Sequence, residues 1–153
     1  MVYLQQSNMQ ITTSLEVARV FLDLLFLEDT IDREKEHFYV MHLNVKSRVN
    51  LVELVSIGTL SSALVTPREV YRRAVMQGSA NIIVAHNHPS GESDPSDEDT
   101  KTTKLLFDAG TILGIPLLDH IVFTPTSFFS FKSNQIQQMT ETKTNSRGEV
   151  KHR

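Results

Sequence analysis

Ala80-Asn81-Ile82-Ile83-Val84-Ala85 runs without a break into His86-Asn87-His88-Pro89-Ser90-Gly91-Glu92-Ser93-Asp94-Pro95-Ser96-Asp97-Glu98-Asp99, and this stretch decides the fold. Ala80 to Ala85 is a short apolar run, the pattern of a strand buried on both faces. A strand covered on both sides needs layers above and below it. The loop that follows is rich in Pro, Ser and Gly. Ser96-Asp97-Glu98-Asp99 then carries a capping pattern that opens a helix. That helix is expected to reach about Leu113, with Leu105, Leu106, Ala109 and Leu113 inward, and Gly114 ends it. Pro116 to Thr124 reads as another strand and Phe128 to Phe131 as a last short one.

Upstream, Thr66-Pro67-Arg68-Glu69 is a helix start. Thr66 is the cap, Pro67 takes the first helical position, and Glu69 closes a capping box. That helix should end near Gly78. His37 to Leu43 and Val49 to Thr59 are rich in β-formers around Asn44-Val45-Lys46-Ser47-Arg48, which predicts a β-hairpin. Ser14 can cap a helix to about Leu27, with Val17, Phe21, Leu24 and Leu25 on one stripe. The acidic stretch from Glu28 to Glu36 reads as a solvated turn. Residues 1–13 are polar and unpatterned, a loose lead-in. The order is helix, hairpin, helix, strand, helix, strand, strand: an α/β chain with a single mixed β-sheet flanked by helices. The expected division is a lead-in and helix over 1–30, one domain over 31–132, and a polar, flexible tail over 133–153.

The 153 residues suit one domain with its own core. No apolar run approaches the roughly 20 residues of a membrane span. The N-terminus lacks the basic start and apolar stretch of a secretory leader, so cytoplasm is the default expectation. The chain has no cysteine. Disulfides and thiolate metal sites are excluded, and any metal must be held by His, Asp or Glu. A net charge of −3 gives no support to a nucleic-acid binder. Arg68, Arg72 and Arg73 form a local basic cluster, read as a solvated helix face.

Side chains alternate along a strand, so His86 and His88 share a side while Asn87 points away. Two imidazoles so placed can reach one ion at about 2.0–2.1 Å. Pro89 and Gly91 turn the chain, and the helix start can bring Asp99 back toward the same ion. Two His and one carboxylate leave a tetrahedral zinc its fourth position for water, the mark of a catalytic site. Taken singly, a His-x-His pair is common surface sequence and Ser96 to Asp99 is a helix cap. Their convergence carries the reading. There is no His-Glu-x-x-His, and zinc deaminases need the missing cysteines. A cupin would use Glu92 after the His-x-His, but cupins are all-β and here a helix follows.

With this spacing, His86-x-His88, then Ser96-x-x-Asp99, the chain resembles the JAMM motif of the JAB/MPN metalloproteases. Its bacterial RadC-like branch is the closer match: His-Asn-His-Pro-Ser-Gly stands at 86–91 and Pro-Ser-x-x-Asp at 95–99. Glu53 to Thr59, Pro67-Arg68-Glu69 and Leu117-Leu118-Asp119-His120 also look like RadC family blocks, over roughly residues 30–131. The resemblance implies the JAB/MPN, cytidine deaminase-like fold and a metallopeptidase or isopeptidase. In it Glu53 is general acid/base to a zinc-bound water, and Ser96 orients the water or stabilises the oxyanion. Full-length RadC proteins join this domain to a helix-hairpin-helix-like region. The stretch before the hairpin is too short for it here, so the chain looks like a short, stand-alone form.

Asn87, Ser90 and Asp119 read equally as supporting groups around a metal or as structural hydrogen-bonders. His120, His37 and His42 read as structural. Two other functions compete with a peptidase acting on a peptide or isopeptide: a binding module in a DNA-repair or mobile-element setting, and zinc-dependent hydrolysis of a phosphodiester. The substrate has no readable code in Ser61 to Val65 or Ser90 to Pro95.

Overall fold

The computed structural model describes residues 2–5, 9–58, 65–140, 142–144 and 150–152. Its centre is one mixed sheet. Strands β1 (Val2–Gln5), β2 (Glu36–Leu43), β3 (Val49–Gly58), β4 (Asn81–Asn87), β5 (Leu117–Phe123), β6 (Ser127–Ser130) and β7 (Gln135–Gln138) lie in the order β1-β3-β2-β4-β5-β6-β7. Every neighbouring pair is antiparallel except β4 and β5. A parallel pair needs a crossover, and helix α3 (Asp97–Leu113) supplies it. Helix α1 (Ser14–Leu25) covers one face, and α2 (Pro67–Gln77) with α3 covers the other. The expected α/β fold, a central mixed sheet flanked by helices, is what forms. Strands β8 (Thr142–Thr144) and β9 (Val150–His152) make a separate two-stranded ladder.

Alternation along β2 and β4 builds two cores. Tyr39, Met41, Ile83 and Ala85 face Phe21 and Leu24 of α1. Phe38, Val40, Ile82 and Val84 face Val70, Tyr71 and Ala74 of α2 and Leu106 of α3. Even-numbered β4 side chains therefore lie on the α2/α3 face, and His86 continues that series.

Several expectations need correction. Residues 1–13 are not all loose: Val2–Gln5 pairs with β3, and Gln10 bridges to Arg48. Thr13, not Ser14, caps α1, accepting from Glu16 N at 3.2 Å, and the helix stops at Leu25. The tail expected from Ser133 begins with β7, whose pairing with β6 is tertiary and leaves no apolar alternation to read. Met139 then packs into the α1-side core. Thr66 caps α2 as expected, but Glu69 does not complete a box; its carboxylate pairs with Arg72 at 2.9 Å. Arg68 also lies beside Glu69, and Arg73 turns to Glu53, so all three arginines of the basic cluster face acids. Thr59 and residues 61–64 of the expected specificity loop lie outside the described residues. No helix among the described residues is long and apolar enough to cross a membrane.

The largest correction concerns α3. Leu105 and Leu113, expected inside, are 54% and 47% exposed. The inward stripe is Asp99, Thr103, Leu106 and Gly110, spaced four, three and four residues apart. A Cβ on Gly110 would collide with the Tyr71 hydroxyl and come within 2.6 Å of the Ile115 carbonyl. Tyr71 also donates to the Leu106 carbonyl at 3.0 Å, so α2 and α3 meet here by close backbone approach. Alanine is the better helix former by about 1 kcal/mol, yet overpacking costs about 1–3 kcal/mol. Gly110→Ala is therefore expected to lower unfolding stability in urea titration; equal or higher stability would show that the two helices are not locked at this point.

Candidate metal centre

The end of β4 delivers His86 and then His88, and the N-terminal turn of α3 delivers Asp99. His86 is 1% exposed; the His88 and Asp99 side chains are 16% and 12% exposed. His86 Nε2 stands 3.1 Å from His88 Nε2 and 3.2 Å from Asp99 Oδ1, while His88 Nε2 stands 3.2 Å from Asp99 Oδ2. These three residues converge as the sequence reading expected.

Asp99 is positioned by the cap it completes. Ser96 Oγ accepts from Asp99 N at 3.0 Å, and Asp99 Oδ2 accepts from Ser96 N at 2.9 Å. Ser96 thus caps the helix, and its hydroxyl proton stays free to donate. His88 Nδ1 faces the Glu92 carbonyl at 2.9 Å. A carbonyl only accepts, so Nδ1 carries the proton and Nε2 presents a bare lone pair toward Asp99. Two lone-pair atoms 3.2 Å apart need a proton or a cation between them. The spacing suits the cation: ligands about 2.0–2.1 Å from a tetrahedral ion stand about 3.3 Å from one another. The residues present fit a metal ion.

The electrostatics agree. Burial pushes the Asp99 carboxyl up, but the His86 and His88 imidazoles beside it outweigh that and hold it well below the usual carboxylate range. Burial disfavours charge on His88, but Asp99 and the Glu92 carbonyl outweigh it and raise its pKa. A proton there takes the place a cation would fill.

Behind the triangle lies His120, whose expected role is structural. His120 Nε2 is 2.7 Å from His86 Nδ1, and His120 Nδ1 is 2.6 Å from Thr103 Oγ1. Burial, then the neighbouring His86, keeps its pKa well below the ordinary imidazole value. The stripe Asp99–Thr103 was visible as a four-residue helical spacing. Nothing in spacing links His120, which arrives through the β4–β5 pairing.

Glu53 stands elsewhere. It lies opposite Val40, which lies opposite Val84, so it shares the sheet face of His86 but sits two strands away, level with the middle of β4. Arg73 Nε donates to its Oε2 at 2.5 Å, and His42 Nε2 lies 3.5 Å from Oε1. Burial raises its pKa, but His42 and Arg73 outweigh that and leave it lowered. It borders a cavity of about 330 Å³ with Arg72, Arg73 and Glu69, which none of the three triangle residues lines.

The other polar residues are mainly structural. Asn87 points away from the triangle, accepts from His37 N at 2.6 Å and donates to the Lys35 carbonyl at 3.0 Å. Asp119 accepts from Ser130 Oγ at 2.6 Å and from the backbone of His120 and Lys132. Ser90 Oγ accepts from Glu92 N within the loop. His37 and His42 are buried in β2, as expected of strand histidines.

Comparison with known proteins adds independent findings. Residues 8–136 match the model of the RadC-like JAB domain. The chain is similar to a UPF0758 protein of Pelodictyon phaeoclathratiforme, 48% identical over 103 residues, covering 67% of this chain and 46% of that protein. A UPF0758 protein of Desulforamulus reducens is 47% identical over 109 residues, covering 71% and 48% respectively. One of Caldanaerobacter subterraneus subsp. tengcongensis is 42% identical over 118 residues, covering 77% and 48%. The chain spans about half the length of the curated relatives it matches.

Zinc titration against a chromophoric chelator is expected to give one ion per chain. Asp99→Asn keeps an acceptor for Ser96 N and so the helix cap, but should lose stoichiometric binding. Protons compete with the ion for His88 Nε2. Because the His88 pKa is raised, affinity should fall on acidification from a higher pH than an ordinary imidazole, near 6.5, would set. Zinc binding that ignores Asp99→Asn would remove this carboxylate from the ligand set.

Proposed function

This chain belongs to the RadC-like JAB domain family, and from that premise we infer that it is a zinc-dependent hydrolase acting on peptide or isopeptide bonds. The observation that carries the reading is the convergence of His86, His88 and Asp99: the two Nε2 atoms stand 3.1 Å apart, and each lies 3.2 Å from one oxygen of the Asp99 carboxylate. Two imidazoles and one carboxylate are a donor set that catalytic zinc uses, and zinc is the ion this reading assigns to it. Bound zinc supplies Lewis acidity and lowers the pKa of a coordinated water from 15.7 to about 7.

The chain's own groups do the rest. Glu53 takes a proton from the attacking water and passes it to the leaving nitrogen. To do so it must reach across from β3 and exchange its Arg73 partner. Ser96, with its hydroxyl proton free, donates to the oxygen that gains charge. The Arg73–Glu53 ion pair also supports a second reading. A glutamate neutralised by an arginine is a poor base, which suits a binding module that holds a partner without cleaving it.

Glu53→Gln should bind zinc normally and lose cleavage of peptide and isopeptide test substrates, by about 10²–10⁴-fold. Hydrolysis that survives this change would transfer the base role to another group. Removing Arg73 takes away an influence that lowers the Glu53 pKa. Arg73→Met should therefore move the acid limb of the pH–rate profile to higher pH. Zinc-loaded protein that cleaves nothing, yet binds partners equally well after chelation, would favour the second reading.

A further inference from the structure

The hydrogen bonds behind the triangle form a directional chain that starts at one candidate ligand and ends on the backbone of another. Thr103 Oγ1 donates to the Asp99 carbonyl at 2.6 Å. A helical threonine bonding the carbonyl four residues back is ordinary. Here the same hydroxyl also stands 2.6 Å from His120 Nδ1.

The carbonyl fixes the direction of every proton. It can only accept, so the Thr103 hydroxyl spends its one hydrogen on it. Thr103 Oγ1 must then accept from His120, which places the His120 proton on Nδ1. His120 Nε2 is left bare and, 2.7 Å from His86 Nδ1, can only accept. His86 therefore carries its proton on Nδ1 and presents the Nε2 lone pair to His88 and Asp99. The His120 ring has little freedom to do otherwise. It is 1% exposed, stacks on Phe131 with centroids 5.0 Å apart, and meets the edge of Phe38 at 5.9 Å.

We propose that Thr103 and His120 are positioning residues that lock His86 in its Nδ1–H tautomer, with the Asp99 backbone carbonyl as the anchor. This rests on the reading of the triangle as a metal centre and extends it. The same α3 turn that supplies the Asp99 carboxylate also sets, through two intermediaries, which nitrogen of His86 is available. Partners that orient ligating histidines typically contribute about 10–100-fold in metal affinity.

The test uses the full chain and zinc itself. Thr103→Val keeps shape and removes both hydrogen-bonding functions; its zinc Kd should rise about 10–100-fold, while Thr103→Ser should restore tight binding. The second readout is the ¹⁵N spectrum of histidine-labelled, zinc-free protein at a pH where imidazoles are neutral. The native chain should show His86 as the Nδ1–H tautomer, and Thr103→Val a mixture. If Thr103→Val does not fold, His120→Gln and His120→Leu replace it. The glutamine amide can still accept from His86 and donate to Thr103, so it should hold zinc more tightly than the leucine variant. Native-like zinc affinity and an unchanged His86 spectrum in Thr103→Val, or equal affinities for the two His120 variants, overturn the lock. A native chain that binds no zinc but shows the Nδ1–H tautomer overturns the metal-centre reading and leaves the lock standing.

Discussion

Side-chain parity along β4 is the constraint from which the rest follows. The strand is central and buried on both faces, so each residue belongs wholly to one core or the other. Ile82, Val84 and His86 fall on the side of α2 and α3. A slip of one residue would send His86 into the α1 core and Asn87 toward Asp99. The flanking pairs prevent it: β2 holds β4 in antiparallel register, and β5 holds it in parallel register. The parallel pair also determines where the triangle sits. The chain passes from β4 to its hydrogen-bonded parallel neighbour β5 through α3, and the N-terminus of that helix returns to the carboxyl end of β4.

Asp99 shows how few groups do the work. One carboxylate completes the α3 cap through Ser96 N and faces both imidazoles. Its side chain is held by local helix-start chemistry, so the geometry around it is set before any ion arrives. The positive end of the helix dipole and the two imidazoles both favour its ionised form.

Much of this was legible because it is local. Thr66, Pro67 and Gly78 mark α2 by cap chemistry within a few residues. The two histidines reveal their common side by alternation alone, and Ser96 to Asp99 reveals the helix start. What escaped is encoded in pairing across distance. β7 has no apolar alternation, and the Val2-Tyr3-Leu4 of β1 is too short to stand out; they are strands because β3 and β6 offer them a ladder. The α3 stripe misled because its inward positions hold Thr103 and Gly110, while the leucines that suggested a core face look outward. Nothing near Glu53 in sequence announces Arg73, and nothing near His86 announces His120.

The triangle joins two parts of the molecule that are otherwise held together by packing and by the His86–His120–Thr103 hydrogen bonds: the β4 end with its loop, and the first turn of α3. An ion shared by ligands from both would act as a cross-link. By mass action, a ligand at about 1,000 times its Kd adds about 4 kcal/mol to the stability of the state that binds it, a large share of the roughly 5–15 kcal/mol that keeps a domain folded. The anchoring of α3 to the sheet would then depend on the cell's supply of free metal, and with it the lifetime of the folded chain as well as its chemistry.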